Sequence, residues 1–234
     1  VKRVALTTFS KEGYELYGRR FVESFNTYWN IPLMVFYRGD PLDDKNQWVD
    51  MRKDGEYMEF LEQYDGDSVA NGVRDRKLDY RYQAVKFCHK VFAQTSKERP
   101  ECDQWIWVDA DVETYRPVDR IFYSEACPKR VIASYLGRKD WHHSECGFMC
   151  YNLPEAERFL QELRRTYVSG EIFTLREWHD SFVWDVVRSS MGSNFFNLSE
   201  NISGTDVWPE TILGDYMTHQ KGPRKKTEVY GGTL

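Results

Sequence analysis

The chain has 234 residues, of which 41% are apolar and 16% aromatic, enough for one sizeable core and one domain spanning residues 1–234. Charged residues make up 29%, so its low mean hydropathy reflects charge rather than disorder. A net charge of −5 argues against nonspecific nucleic-acid binding, which draws on basic surface, and no nucleic-acid partner is expected. No apolar run approaches the roughly 18 residues of a membrane-spanning helix, and no signal peptide is visible. The first residue is valine, so an anchor trimmed from the N-terminal side stays compatible with the chain. The five cysteines are Cys88, Cys102, Cys127, Cys146 and Cys150. They form no CxxC pair and no dense framework, which favours a reducing, cytoplasmic location. Two sequons, at Asn197 and Asn201, leave the secretory pathway open.

Arg3 to Thr8 reads as a first strand, followed by a helix with Tyr14, Tyr17, Phe21 and Phe25 at helical spacing. Ile31 to Tyr37 reads as the second strand, so the order strand–helix–strand begins a parallel sheet. Residues 42–78 are polar and expected to be peripheral or mobile, with one helix near Tyr57 to Tyr64. Asp79 to Gln94 reads as one helix whose apolar face carries Ala84, Val85, Phe87, Cys88, Val91 and Phe92. The run Gln104-Trp105-Ile106-Trp107-Val108 is a buried strand, and strands are expected at Val131 to Tyr135 and Gly147 to Tyr151. Pro154 is placed at the first position of a helix reaching Tyr167. A last helix runs from about His179 to Met191, a short strand lies near Asn194 to Phe196, and the C-terminal end reads as irregular. The fold class is α/β, a Rossmann-like domain with a mixed, mainly parallel sheet flanked by helices.

Five groups of residues carry candidate chemistry. Asp109-Ala110-Asp111 follows the tryptophan-rich strand. If the extended geometry persists, both carboxylates lie on one face, at the strand end where open α/β sheets bind ligands. Two such carboxylates suit Mn²⁺ or Mg²⁺, which can neutralise a diphosphate leaving group; the plain alternative is a solvated turn. Thr218 to Lys226 places His219 beside Lys221, Gly222 and Lys225. Imidazole can complete a metal site begun by carboxylates, and lysines can meet phosphates; the alternative is a solvated basic tail. Asp180 opens the last helix as a cap or as a catalytic carboxylate. Glu145 and Gly147 flank a strand start, where Glu145 can face a sugar hydroxyl or be an ordinary loop residue. Arg81 and Lys86 precede the Asp109 strand and can reach a diphosphate, pair with Asp109 or Asp111, or form surface ion pairs.

The order of these motifs, from Val4 to about Lys225, resembles nucleotide-sugar glycosyltransferases of the GT-A fold. It is most similar to small bacterial and viral polysaccharide-building members, and more distantly to glycogenin-like family 8 enzymes. The resemblance implies that Asp109 and Asp111 match the family's DxD motif and His219 its third metal ligand. It implies that Lys221 and Lys225 approach the donor phosphates, and that Thr7, Thr8 and Phe9 hold the nucleoside. Arg81, Glu145 and Gly147 would lie near the donor sugar, and Asp180 would face the sugar and acceptor. The expected cofactor is Mn²⁺ or Mg²⁺. The expected donor is a nucleotide-diphosphate sugar, a UDP-sugar first, and the acceptor a glycan or glycoconjugate hydroxyl. The chain departs from family 8 in lacking proline–tryptophan after the terminal lysine and in carrying Ser181 where glutamine is often found. The resemblance through His219 leans towards retention, while Asp180 is the candidate base if the enzyme inverts.

Two other readings compete. A haloacid dehalogenase-type phosphohydrolase also uses Asp-x-Asp, but on an early strand and with Thr or Val where Glu113 stands. A carbohydrate-binding domain with a decayed donor site would use the abundant aromatics without turnover, although most aromatics at these spacings read as core.

Overall fold

The computed structural model describes residues 1–139 and 143–220. Strand β1 (Arg3–Thr8) leads into α1 (Lys11–Gly13), a π-helical turn (Tyr14–Gly18) and α2 (Arg19–Tyr28), then β2 (Leu33–Tyr37). β3 (Gln47–Asp50) and α3 (Gly55–Tyr64) follow, then β4 (Asn71–Arg74), β5 (Lys77–Gln83) and α4 (Ala84–Gln94). Next come β6 (Gln104–Val108), β7 (Val112–Thr114), α5 (Arg120–Ala126), β8 (Ala133–Leu136) and β9 (Glu145–Asn152). α6 (Glu157–Val168), α7 (Asp180–Ser190), β10 (Phe196–Asn197) and β11 (Met217–His219) complete the order.

The central sheet has seven strands in the order β10-β8-β9-β6-β1-β2-β3. β9 pairs antiparallel with β6 and β8, and the other pairings are parallel, giving a mixed, mainly parallel sheet. A sheet covered on both faces needs strands that are apolar throughout, and β2 and β6 are buried at every position. Side chains alternate between faces. Trp105 and Trp107 therefore enter the core under α3, α4, α6 and α7, while Ile106 and Val108 enter the one under α2 and α5. The Trp105 indole N–H donates to Gln94 O at 3.0 Å, so this fully buried ring leaves no orphaned donor. Truncating it to alanine would cost about 3–5 kcal/mol.

Four sequence expectations need correction. Residues 42–78 are not a peripheral remainder: β3 extends the main sheet beside β2. Asp79 to Gln83 is strand, and the helix begins only at Ala84. The β4–β5 hairpin turns at Asp75 and Arg76, both left-handed with φ of 48° and 63°. Neither residue is the glycine or asparagine that usually announces such a turn, so the sequence concealed it. Pro154 is not the first helical residue; it lies in a turn where its carbonyl accepts from Glu157 N at 3.0 Å. The C-terminal end is partly regular, because β11 pairs antiparallel with β7, His219 opposite Val112. Among the described residues, no helix is long and apolar enough to cross a membrane.

Candidate active site

The C-terminal ends of β1, β2 and β6 open onto a cavity of about 610 Å³, where ligands bind in open α/β sheets. Thr8, Phe9, Tyr37, Lys86, Lys90 and Asp109–Asp111 are among its walls. A larger hollow of about 750 Å³ lies between Arg3, Arg120 and Tyr123, and no carboxylate among the described residues lines it.

The acidic pair converges, but not by continued extension. β6 ends at Val108, and the chain turns as Val112 N donates to Asp109 O at 3.0 Å. That turn, rather than strand alternation, aims both carboxylates into one place. Asp109 is held from three directions. Its backbone N–H donates to Gly147 O at 2.8 Å, the Trp107 indole N–H donates to Oδ1 at 2.7 Å, and Lys90 Nζ reaches Oδ1 at 2.8 Å.

His219 arrives from β11. The β7–β11 ladder continues beyond it, with Gln220 N donating to Asp111 O at 2.8 Å. His219 Nε2 then lies 3.0 Å from Asp111 Oδ1 and 3.8 Å from Asp109 Oδ2. On the opposite side of the ring, Nδ1 lies 3.5 Å from Glu145 Oε2, while Glu145 Oε1 accepts from Gly147 N at 2.7 Å. Gly147 is required by space: a Cβ there would stand 2.7 Å from His219 Cε1 and 2.9 Å from Glu145 Oε1.

Lys90, which the sequence reading overlooked, joins the two halves of the site. Its Nζ contacts Asp180 Oδ2 at 2.8 Å as well as Asp109, and donates to Cys146 O at 2.5 Å. A faint signal existed: Lys86, His89 and Lys90 stand at i, i+3 and i+4 on α4, one polar stripe on an otherwise apolar helix.

The charges are strongly coupled. Burial opposes the Lys90 charge, yet Asp109 and Asp180 carry its pKa well above the usual lysine value. Burial first, and then the Asp111 charge, hold Asp109 above the ordinary carboxylate range despite Lys90. Asp180 goes the other way: burial raises it most, but Lys90, His179 and the Ser181 N–H together outweigh burial and hold it below the usual carboxylate range. Burial works against a charged His219, but Glu145 and Asp111 override it and raise the imidazole to about 9.

These residues fit a divalent cation. One oxygen from each of Asp109 and Asp111 and one nitrogen of His219 lie within 4.8 Å of one another. Two carboxylates crowded together favour a shared cation over two bare charges. An O,O,N donor set suits Mn²⁺, with Mg²⁺ the harder alternative.

The other expected residues divide. Thr8 and Phe9 line the cavity, Thr8 Oγ1 donating to Phe36 O at 2.7 Å and Phe9 packing against Tyr37 and Trp48. Thr7 is fully buried behind them. Lys86 and Ala110 line the cavity. Arg81 stands apart on β5, where its guanidinium pairs with Asp79 at 2.7 Å in solvent. At α7 the cap is His179, whose Nδ1 accepts from Phe182 N, so Asp180 is free to pair with Lys90. Lys221, Gly222 and Lys225 lie outside the described residues.

No protein-family model matches the sequence, and no curated protein sequence is significantly similar to it. Solved structures are similar in fold. A glycosyltransferase involved in the glycosylation of the major capsid of PBCV-1 aligns over 96% of each chain at 10% identity with a TM-score of 0.51. Mouse xyloside xylosyltransferase 1 aligns over 92% of each chain at 11% identity with a TM-score of 0.52. The glycosyltransferase GlyE of Streptococcus pneumoniae aligns over 86% of this chain and 46% of its own, at 9% identity with a TM-score of 0.51. The chain therefore has a GT-A-like glycosyltransferase fold, a mixed α/β sheet with its carboxylate–histidine cluster at the strand ends.

Proposed function

We propose that the chain is a metal-dependent glycosyltransferase moving a sugar from a nucleotide-diphosphate sugar, a UDP-sugar first, to a hydroxyl of a glycan or glycoconjugate. The observation that carries this reading is the convergence of Asp109, Asp111 and His219 beside the 610 Å³ cavity at the sheet's C-terminal edge. One protein of similar fold is involved in the glycosylation of the major capsid of PBCV-1 and another is a xyloside xylosyltransferase, which supports a glycan or glycoconjugate acceptor. Five free cysteines support a reducing, cytoplasmic location.

Asp109, Asp111 and His219 Nε2 would hold Mn²⁺, which when bound supplies the charge that offsets a departing diphosphate. Phe9 and Tyr37 line the cavity, where the exposed parts of their rings can contact a nucleobase. Lys90 keeps Asp109 and Asp180 in one arrangement and adds positive potential beside the phosphates. Glu145, fixed by Gly147 N, is read as orienting His219 through Nδ1, which leaves Nε2 for the cation. Asp180 remains the residue nearest in role to an acceptor-facing carboxylate. Held by Lys90 with its pKa lowered, Asp180 is a weak general base, which is consistent with the retaining reading.

The test is nucleotide release from UDP-sugars with and without Mn²⁺, paired with thermal shift. UDP plus Mn²⁺ should raise the unfolding midpoint by mass action. Asp109→Ala should abolish both the shift and metal-dependent turnover. Full metal-dependent turnover in that variant would remove the mechanism, and stabilisation without any turnover would favour the carbohydrate-binding reading.

A further inference from the structure

A second group of metal-binding side chains lies outside the proposed donor site. We propose that His143, Glu177 and His179 form a separate metal site that takes Zn²⁺ or a similar borderline transition metal. One ligand atom from each of the three lies within 4.8 Å of the others. Glu177 Oε2 and His179 Nε2 are already 3.0 Å apart, and the His143 and His179 ring centroids are 4.5 Å apart at 71°. A tetrahedral zinc bound at about 2.0–2.1 Å sets its ligands about 3.3 Å apart. The carboxylate–imidazole edge thus needs almost no change, and His143 closes the site by a side-chain movement.

The donor set decides the metal. Two imidazoles and one carboxylate, with a fourth position left to water, are the ligands of open zinc sites. Asp109, Asp111 and His219 supply the harder set, which suits Mn²⁺ or Mg²⁺ better than two imidazoles do.

The three residues come from two segments that the fold ties together. His143 precedes β9, and Glu177 and His179 lead into α7. Ser144, next to His143, donates its N–H to Asp185 Oδ2 at 2.5 Å and its hydroxyl to Asp185 Oδ1 at 2.8 Å, both on α7. On the other side, Trp178 N donates to Arg81 O at 2.6 Å, which pins the residue between Glu177 and His179. Both segments are therefore held before any metal arrives, which leaves the His143 side chain as the part to be ordered on binding.

The tautomers can be followed. His143 Nδ1 faces Ser144 O at 3.5 Å, so its proton belongs on Nδ1 and the Nε2 lone pair is open. His179 Nδ1 accepts from Phe182 N at 3.3 Å, so its proton rests on Nε2 and points at Glu177. Metal binding through Nε2 moves that proton to Nδ1. It thereby gives up one long cap bond, whose donor is a first-turn N–H on a half-buried residue. Zinc at this position would fasten the approach to β9 onto the start of α7, one residue from Asp180.

Metal binding at His143, Glu177 and His179 is independent of sugar transfer at the donor site. The test is calorimetric titration of the whole chain with Zn²⁺, with Co²⁺ as a spectroscopic probe. Three forms are compared: Asp111→Asn, Asp111→Asn with His143→Gln, and Asp111→Asn with Glu177→Gln. The single variant should keep one equivalent of micromolar Zn²⁺ binding and the visible absorption of tetrahedral Co²⁺. Each double variant should bind at least about tenfold more weakly and lose that absorption, with unchanged far-ultraviolet circular dichroism. Absence of Zn²⁺ binding tighter than about 100 μM in Asp111→Asn would overturn the proposal. So would double variants that bind as tightly as their parent.

Discussion

The two metal-capable clusters are built by different parts of the folding code. Asp109 and Asp111 are one residue apart in a turn after a buried strand, and His219 is brought to them by the β7–β11 ladder across more than a hundred residues. His143, Glu177 and His179 depend on no ladder; a loop and a helix cap bring them together. The first cluster is charged, largely buried and threaded into a network through Lys90 and Glu145. The second has three members beside the start of α7 and, among the described residues, no lysine joined to it. Sheet pairing can thus build a site whose every member is restrained twice, whereas a loop and a cap build one with a single adjustable member, His143.

The largest test of that contrast is removal of the cation. A chelator should abolish turnover, and Asp111→Asn should lower Mn²⁺-dependent turnover by about 10²–10³-fold, measured as nucleotide release. Zn²⁺ binding at His143 should survive the same substitution. Full turnover in Asp111→Asn would leave the first cluster without its assigned role.

Gly147→Ala probes the double restraint. The added Cβ has to displace His219 or Glu145, so Mn²⁺ affinity should fall by about 10–100-fold. Overpacking should also destabilise the fold by about 1–3 kcal/mol, read by urea denaturation. Unchanged Mn²⁺ affinity would show that His219 tolerates movement as His143 is expected to.

Acid should separate the cavity wall from both clusters. His89, whose Nδ1 lies 2.8 Å from Tyr57 Oη, is pushed down to about 4 by burial first and the Arg38 charge second. Its folded pKa lies below its unfolded value, so the folded chain holds it neutral. The stabilisation is complete above about pH 6.5 and is lost as pH falls from about 6.5 to 4, by at most about 3 kcal/mol. Replacing His89 with glutamine should flatten that part of the stability–pH curve, and an unchanged slope would assign the acid sensitivity elsewhere.

Two smaller effects follow. Thr8→Val removes the hydrogen bond to Phe36 O and should cost about 1 kcal/mol of stability. Arg81→Ala should change turnover by less than about twofold, because its guanidinium pairs with Asp79 in solvent. A tenfold loss there would return Arg81 to the donor site that its motif position implied.

Much of this architecture could be read from local pattern. β1, β2 and β6 announce themselves as short apolar runs, and Asp109-Ala110-Asp111 announces itself by following the most buried of them. β3 did not, because a partly buried edge strand need not be apolar. The β4–β5 hairpin did not, because its left-handed turn is made by Asp75 and Arg76 instead of glycine. Among the site residues, Lys90 escaped notice because a lysine on an amphipathic helix is ordinarily solvated; only its three close partners set it apart.

The amino-acid sequence alone determined the α/β class, the parallel start of the sheet and the acidic pair, since periodicity and short-range spacing act within a few residues of themselves. Only the tertiary structure decided that His219 faces Asp111, that Glu145 stands behind it across the bare Cα of Gly147, and that Lys90 spans Asp109 and Asp180. Those contacts join segments far apart in the chain. Their geometry depends on strand register and on burial, which lowers the local dielectric and makes each buried charge depend on its neighbours.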